Sequence, residues 1–187
     1  DKLLFNVKSF DFTSSYPTVM VAEKFPMSKG EYRPNITSEY DDEFDHDINN
    51  YCCIFIARIT NVRSRVMFDN PISYSKCWDT KNTKLNNGRI VSAGQLTIAM
   101  TNVDYQSYEK FYKWDKFEIR LFYRYRAGYL PTKFVDAILS FYEDKTKLKG
   151  VAGKESEYLA GKENVNACYG MTVTDILRDL IMYDPEH

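Results

Sequence analysis

The feature that most restricts the fold of this chain is a change of hydrophobic period at Pro131. Upstream of it, Tyr51 to Thr60 (YCCIFIARIT) is dense in β-branched and aromatic residues, and Lys116 to Tyr125 sets Phe117, Ile119, Leu121 and Tyr123 at every second position. A period of two belongs to strands with one buried face. Downstream of it, Phe134, Ile138, Phe141 or Tyr142, and Leu148 share one helical face, with Pro131 suited to a helix start and Gly150 to its end. The sequence therefore predicts an α+β fold in which a β-rich stretch precedes a helical one.

Weaker signals fill in the rest. Leu4 to Phe10 alternates as a half-buried strand, and Thr18 to Phe25 reads as a short helix stopped by Pro26. The acids Glu39, Asp41, Asp42, Glu43, Asp45 and Asp47 predict a solvated loop extended by its own repulsion. Asp41 and Glu43 match a DxE nuclease pattern, but two acids within an acidic run match it by chance, and no metal role follows. Further β-like runs lie at Pro71 to Cys77 and Gln95 to Thr101, separated by an exposed turn within Asp79 to Gly88. Asp104 is placed to cap a helix over Tyr105 to Trp114. A second C-terminal helix is predicted from Glu155 to just before Gly170, with Lys162, Asn166 and Tyr169 on one face. On the helix before it, Lys145 and Lys149 are four apart and predict a row of ammonium groups with Lys147 offset; two antiparallel helices would bring both lysine sets together.

Composition narrows the function classes. The 187 residues carry a formal net charge of -1, so contact with nucleic acid has to come from local clusters of Lys and Arg. Aromatics make up 16% of the chain, with 15 Tyr and 12 Phe. Cys52, Cys53, Cys77 and Cys168 form no CxxC pair and the only histidines are His46 and His187, which argues against a zinc site. Adjacent Cys52 and Cys53 would face opposite sides of a strand, as reduced thiols in a cytoplasmic protein do. No run approaches the length of a membrane span, and no membrane partner is expected.

The stretch richest in chemistry is Asp11-Phe12-Thr13-Ser14-Ser15-Tyr16-Pro17. It reads as a strand ending in a carboxylate, followed by a sharp polar turn whose backbone N–H groups suit a phosphate. An acid beside a phosphate nest is a chemically sensible pair for Mg2+, which prefers a carboxylate shared with substrate phosphates.

These residues resemble family B DNA polymerases, most closely the protein-primed bacteriophage type. Asp11 to Pro17 is similar to the family's first palm motif, DxxSLYP, and Lys162 to Gly170 (KENVNACYG) is similar to its fingers motif, KxxxNSxYG. The order of the two is the family's order. The segment Ala137 to Lys149 resembles the first fingers helix, and the middle of the chain resembles the insertion that protein-primed enzymes carry between palm and fingers. Ser15 stands in place of leucine, Ala167 in place of serine, and Lys145 where arginine is frequent. The family's second carboxylate motif, YxDTD, is not in this sequence.

The resemblance implies a palm portion at residues 1–25, a β-rich insertion at 26–128, two antiparallel fingers helices at 129–172, and the start of a following segment at 173–187. The chain would then be a fragment of a DNA-directed DNA polymerase working in the replication of a virus or mobile element, in the cytoplasm of a bacterial host if phage-derived. It implies two Mg2+ ions, with Asp11 as the catalytic carboxylate and metal ligand and the Phe12 carbonyl as a further ligand. Thr13, Ser14, Ser15, Tyr16, Lys145, Lys149, Lys162 and Asn166 would bind the nucleotide, Tyr16 beneath the deoxyribose. Tyr169 and Gly170 would line the nascent base pair. Partners would be primer-template DNA, a deoxynucleoside triphosphate and a terminal priming protein. With one motif carboxylate, the chain by itself is expected to be inactive. A reading from another class is a non-catalytic module whose β-rich part binds DNA or a priming protein.

Overall fold

The computed structural model describes residue 8, residues 15 to 66 and residues 70 to 173. The strand expected over Leu4 to Phe10 and the motif residues Asp11, Phe12, Thr13 and Ser14 lie outside the described residues. The fold is α+β, with antiparallel pairing throughout the described strands. It divides into two compact units, one built from residues up to Glu23 together with those from Tyr129 onward, the other from Lys24–Gly128. Among the described residues no helix is long and apolar enough to cross a membrane.

Lys24–Gly128 is a sheet packed against two helices. Its strands are β1 (Phe25–Pro26), β2 (Glu31–Tyr32), β3 (Cys52–Ser64), β4 (Cys77–Lys81), β5 (Lys84–Asn86), β6 (Arg89–Thr101), β7 (Tyr112–Lys113), β8 (Lys116–Tyr125) and β9 (Ala127–Gly128). The main sheet has the order β2-β8-β3-β6-β4, with β5 paired to β6 and β7 to β3. β3 is its centre, pairing Ile54 with Thr101 and Tyr123 on either side. Alternation along β3 buries Cys53, Phe55, Ala57 and Ile59 on one face, as the pattern of Tyr51 to Thr60 predicts. On that face Phe55 stacks on Phe122 with centroids 5.3 Å apart, and Phe44 meets Phe55, Phe122 and Tyr105 edge-on. Such edge-on and offset contacts suit the ring quadrupole and add to the burial of large apolar surface. The separate pair β1 and β9 joins Phe25 to Gly128 and Pro26 to Ala127, so the unit's two ends lie side by side. A segment whose ends meet can be inserted between the halves of another unit at little topological cost.

Several local expectations are corrected. The acidic run is not an extended loop: Asp42–Asn50 is a helix, α2, that buries Phe44, Asp47 and Ile48. Two effects overcome the self-repulsion. Asp42, Glu43 and Asp45 sit in the first turn, where the helix dipole favours anions, and the remaining acids have partners. Asp41 accepts the N–H groups of Thr37 and Ser38 at 2.9 and 3.1 Å, and Glu43 accepts from Arg33 at 2.8 Å. Asp47 is fully buried against Arg124, whose Nη1 donates to its Oδ1 at 2.8 Å, with Arg33 at 3.7 Å from its Oδ2. Arg124 also grips Glu31 with two hydrogen bonds and holds that carboxyl below its usual range.

Pro71 to Cys77 is mostly not a strand, because Tyr74–Lys76 makes a short 3-10 turn and β4 begins only at Cys77. The exposed stretch Asp79 to Gly88 contains β5 and closes on Asn87 and Gly88, both at positive φ (46° and 72°), the geometry of a two-residue hairpin turn that Asn-Gly favours. Helix α3 is Asn102–Phe111, and its cap is Thr101, not Asp104: the Thr101 hydroxyl accepts from Asp104 N–H while Asp104 accepts from Thr101 N–H, a reciprocal capping box. It stops before Trp114, since Tyr112 and Lys113 pair with β3.

The first unit is helical where described. Helix α1 covers Ser15–Ala22 and so begins three residues before the expected Thr18 and ends well short of Phe25. Pro17 is buried and lies in the first described turn of α1. Helix α4 is Thr132–Leu148 and α5 is Glu155–Val173, joined by a loop in which Gly150 and Gly153 take φ of 78° and 75°. α4 buries Ile138 and half-buries Phe134, Phe141, Tyr142 and Leu148, the face that its spacing predicts. α5 buries Gly161, Val165 and Cys168. It runs through Gly170, which was expected to follow its end; that glycine is not among those at positive φ, so it does not break the helix.

Candidate nucleotide site in the helical unit

The two segments that carry the chemistry meet through their tyrosines. Tyr16, on the first turn of α1, and Tyr169, on the last turns of α5, stack with ring centroids 4.0 Å apart and planes 20° from parallel. Tyr16 as a whole residue is nevertheless 57% exposed. Ser15 and Tyr16 lie within α1, so the polar turn expected at these two residues is helical.

On α5, Lys162 and Asn166 are exposed, while Tyr169 and Gly170 are half-buried. The spacing of four and then three residues puts Lys162, Asn166 and Tyr169 along one strip beside the buried Gly161, Val165 and Cys168. The lysines of α4 do not form the expected row. Lys149 is the cap residue, with φ of -62° and ψ of 115°, so it has left the helix. Lys147 pairs with Glu143 one turn back, which raises the lysine's pKa and lowers the glutamate's. Lys145 is half-buried on the packed face, with its Nζ 5.7 Å from the centre of the Tyr142 ring. Opposite it lies Gly161: a Cβ there would come within 3.3 Å of the Lys145 backbone nitrogen and 3.5 Å of its Cα. Tyr142 and Gly161 are not among the functional residues expected from the sequence. Their only signals are a tyrosine one turn before Lys145 and a glycine inside a helix directly before Lys162. A cavity of about 160 Å³ separates α1 from α4, lined by Pro17, Thr18, Val21, Ile138, Leu139 and Tyr142.

Several acids among the described residues of the sheet unit are engaged by hydrogen bonds. Glu39 accepts from Trp114 Nε1 at 2.9 and 3.0 Å and from the Tyr105 hydroxyl at 3.2 Å, while Asp41 and Glu43 are engaged as described. Among the described residues no group of three or more His, Cys, Asp or Glu could hold a metal ion. All four cysteines are free, and burial pushes the thiols of Cys53 and Cys77 up to about 12 and about 11.

No family model and no curated protein matches the chain. Solved structures do. The chain is similar to phi29 DNA polymerase complexed with primer-template DNA and incoming nucleotide substrates, with a TM-score of 0.63 and 18% identity over 86% of this chain and 25% of that one. It is similar to the same polymerase in its post-translocation binary complex with primer-template DNA (TM-score 0.62, 19% identity, 86% and 24% covered). The orthorhombic crystal form gives a TM-score of 0.61 at 17% identity, covering 88% and 26%. The chain thus spans about a quarter of the length of these polymerase chains and has the fold of that part of them.

Proposed function

We propose that this chain is part of a DNA-directed DNA polymerase of family B, of the protein-primed type, and that its helical unit holds the incoming deoxynucleoside triphosphate. The observation that carries the reading is the stack of Tyr16 on Tyr169, which joins the two motif segments from opposite ends of the described chain. Residues 1–25 are then palm, 26–128 the insertion, 129–172 the fingers, and 173–187 the segment after them.

In this reading Tyr16 lies beneath the sugar and leaves no room for a 2′ hydroxyl, while Tyr169 and Gly170 face the nascent base pair. The backbone of Thr13, Ser14, Ser15 and Tyr16 cradles the β and γ phosphates. Lys162, with Lys145, Lys149 and Asn166, offsets the triphosphate charge, a task for which ammonium point charges suffice. Asp11 and the Phe12 carbonyl would hold Mg2+, which when bound stabilises the attacking and leaving oxygens of phosphoryl transfer. Primer-template DNA and a terminal priming protein complete the set of partners.

The test is equilibrium binding of dATP and ATP to the chain and its variants. The wild type is expected to prefer dATP, Tyr16→Val to lose that preference, and Lys162→Ala to weaken both nucleotides by at least about tenfold. An unchanged sugar preference in Tyr16→Val removes Tyr16 from its role.

A second reading draws on the closed ends of Lys24–Gly128 and its own buried core: this unit acts as a binding module for DNA or a priming protein. Salt-dependent DNA binding that survives Asp11→Asn and Lys162→Ala, and disappears when residues 30–128 are deleted, would favour it.

A further inference from the structure

We propose that Tyr142 and Gly161 are positioning residues for Lys145, fixing its ammonium group for an anionic polyphosphate ligand. The inference rests on the nucleotide-site reading of the helical unit and adds to it the device that orients one of its cations.

Lysine in a helix is ordinarily a solvated, rotamer-rich side chain, and its charge is then poorly localised. Lys145 is different in three respects. Its Cα lies on the half-buried face of α4 with Phe134, Ile138, Phe141, Tyr142 and Leu148, whereas Lys147 is exposed. Its Nζ stands 5.7 Å from the centroid of the half-buried Tyr142 ring, within the range in which an aromatic face attracts a cation. Its backbone is contacted by Gly161, where a Cβ would approach the Lys145 nitrogen to 3.3 Å and Cα to 3.5 Å. Those are backbone atoms, which cannot rotate away as a side-chain tip can. Glycine inside a helix is disfavoured against alanine, so its presence here is accounted for by the close passage of α5 over Lys145. Gly161 also immediately precedes Lys162, so this contact sets how far the Lys162 turn of α5 stands from Lys145.

The experiment is titration of inorganic tripolyphosphate into the full 187-residue chain by calorimetry at low salt, with helix content followed by circular dichroism. Lys145→Ala is expected to weaken binding. Tyr142→Leu should weaken it roughly two- to fivefold while Tyr142→Phe, which keeps the ring, stays near wild type. Gly161→Ala should weaken it with helix content kept or raised. In the Lys145→Ala background neither Tyr142→Leu nor Gly161→Ala should have any further effect, because both act through that lysine. Losses of equal size in the two backgrounds would mean general packing and overturn the inference. So would unchanged binding in Tyr142→Leu when Lys145→Ala is impaired, and this outcome leaves the nucleotide site standing. Binding unaffected by Lys145→Ala removes that lysine from the site and overturns the inference together with its role in the nucleotide reading. Should Gly161→Ala fail to fold, the Tyr142 pair of variants in both backgrounds still decides.

Discussion

Replacing Asp47 with alanine should destabilise the sheet unit by about 3 kcal/mol. Asp47 has no solvent exposure, and the side chains of Arg33 and Arg124 on either side of it are only 17% exposed. Removing one member of a buried ionic group leaves the other charges without compensation, at a cost of about 3 to 5 kcal/mol. The lower end applies because Arg124 keeps its two bonds to Glu31, and Arg33 its bond to Glu43. Both tryptophans of the chain, Trp78 and Trp114, lie in Lys24–Gly128, so tryptophan fluorescence during urea unfolding reports that unit. With a slope of about 1–3 kcal/mol per molar urea, the midpoint should fall by about 1–3 M. The control is Asp42→Asn, an exposed acid on the same helix, for which a change under about 1 kcal/mol is expected. Equal midpoints for the two variants would refute the claim that partner arginines hold the acidic segment in a helix.

Two further outcomes follow from the same structure. The Cys53 and Cys77 thiols are raised by burial to about 12 and about 11 from an ordinary value of 9.0, so each favours the folded state below pH 9 and loses that contribution as pH rises towards its folded value. Native-state alkylation near pH 9 should therefore spare both while they react in urea, and stability should decline above pH 9; rapid native labelling of either would contradict the burial argument. Under the proposed polymerase reading, one motif carboxylate does not organise two metal ions, so the purified chain is expected not to extend a primer, and metal-dependent extension in a gel assay would contradict that.

What could be read from the sequence was whatever depends on local period. β8 runs from Lys116 to Tyr125 as its alternation requires, and α4 starts at Thr132, right after Pro131. Long-range partners were illegible. Nothing near Asp47 in the chain reveals that Arg124 will neutralise it, and without that partner a run of acids is rightly expected to stay in water. Gly170 was misread for the opposite reason, since a glycine halts a helix only where the backbone turns to positive φ. At the candidate site, one helical strip of Lys162, Asn166 and Tyr169 followed from spacing, and the resemblance paired it with the Tyr16 motif. The packing of Lys145 between Tyr142 and Gly161 depends on how α4 and α5 approach, which spacing does not encode.

The most direct measurement is photo-crosslinking of 8-azido-dATP to the chain, with adducts located by mass spectrometry and competed by unlabelled dATP. The account predicts competed adducts on the peptides holding Tyr16, Lys162 and Tyr169. Adducts confined to Lys24–Gly128, or none that dATP displaces, would contradict it.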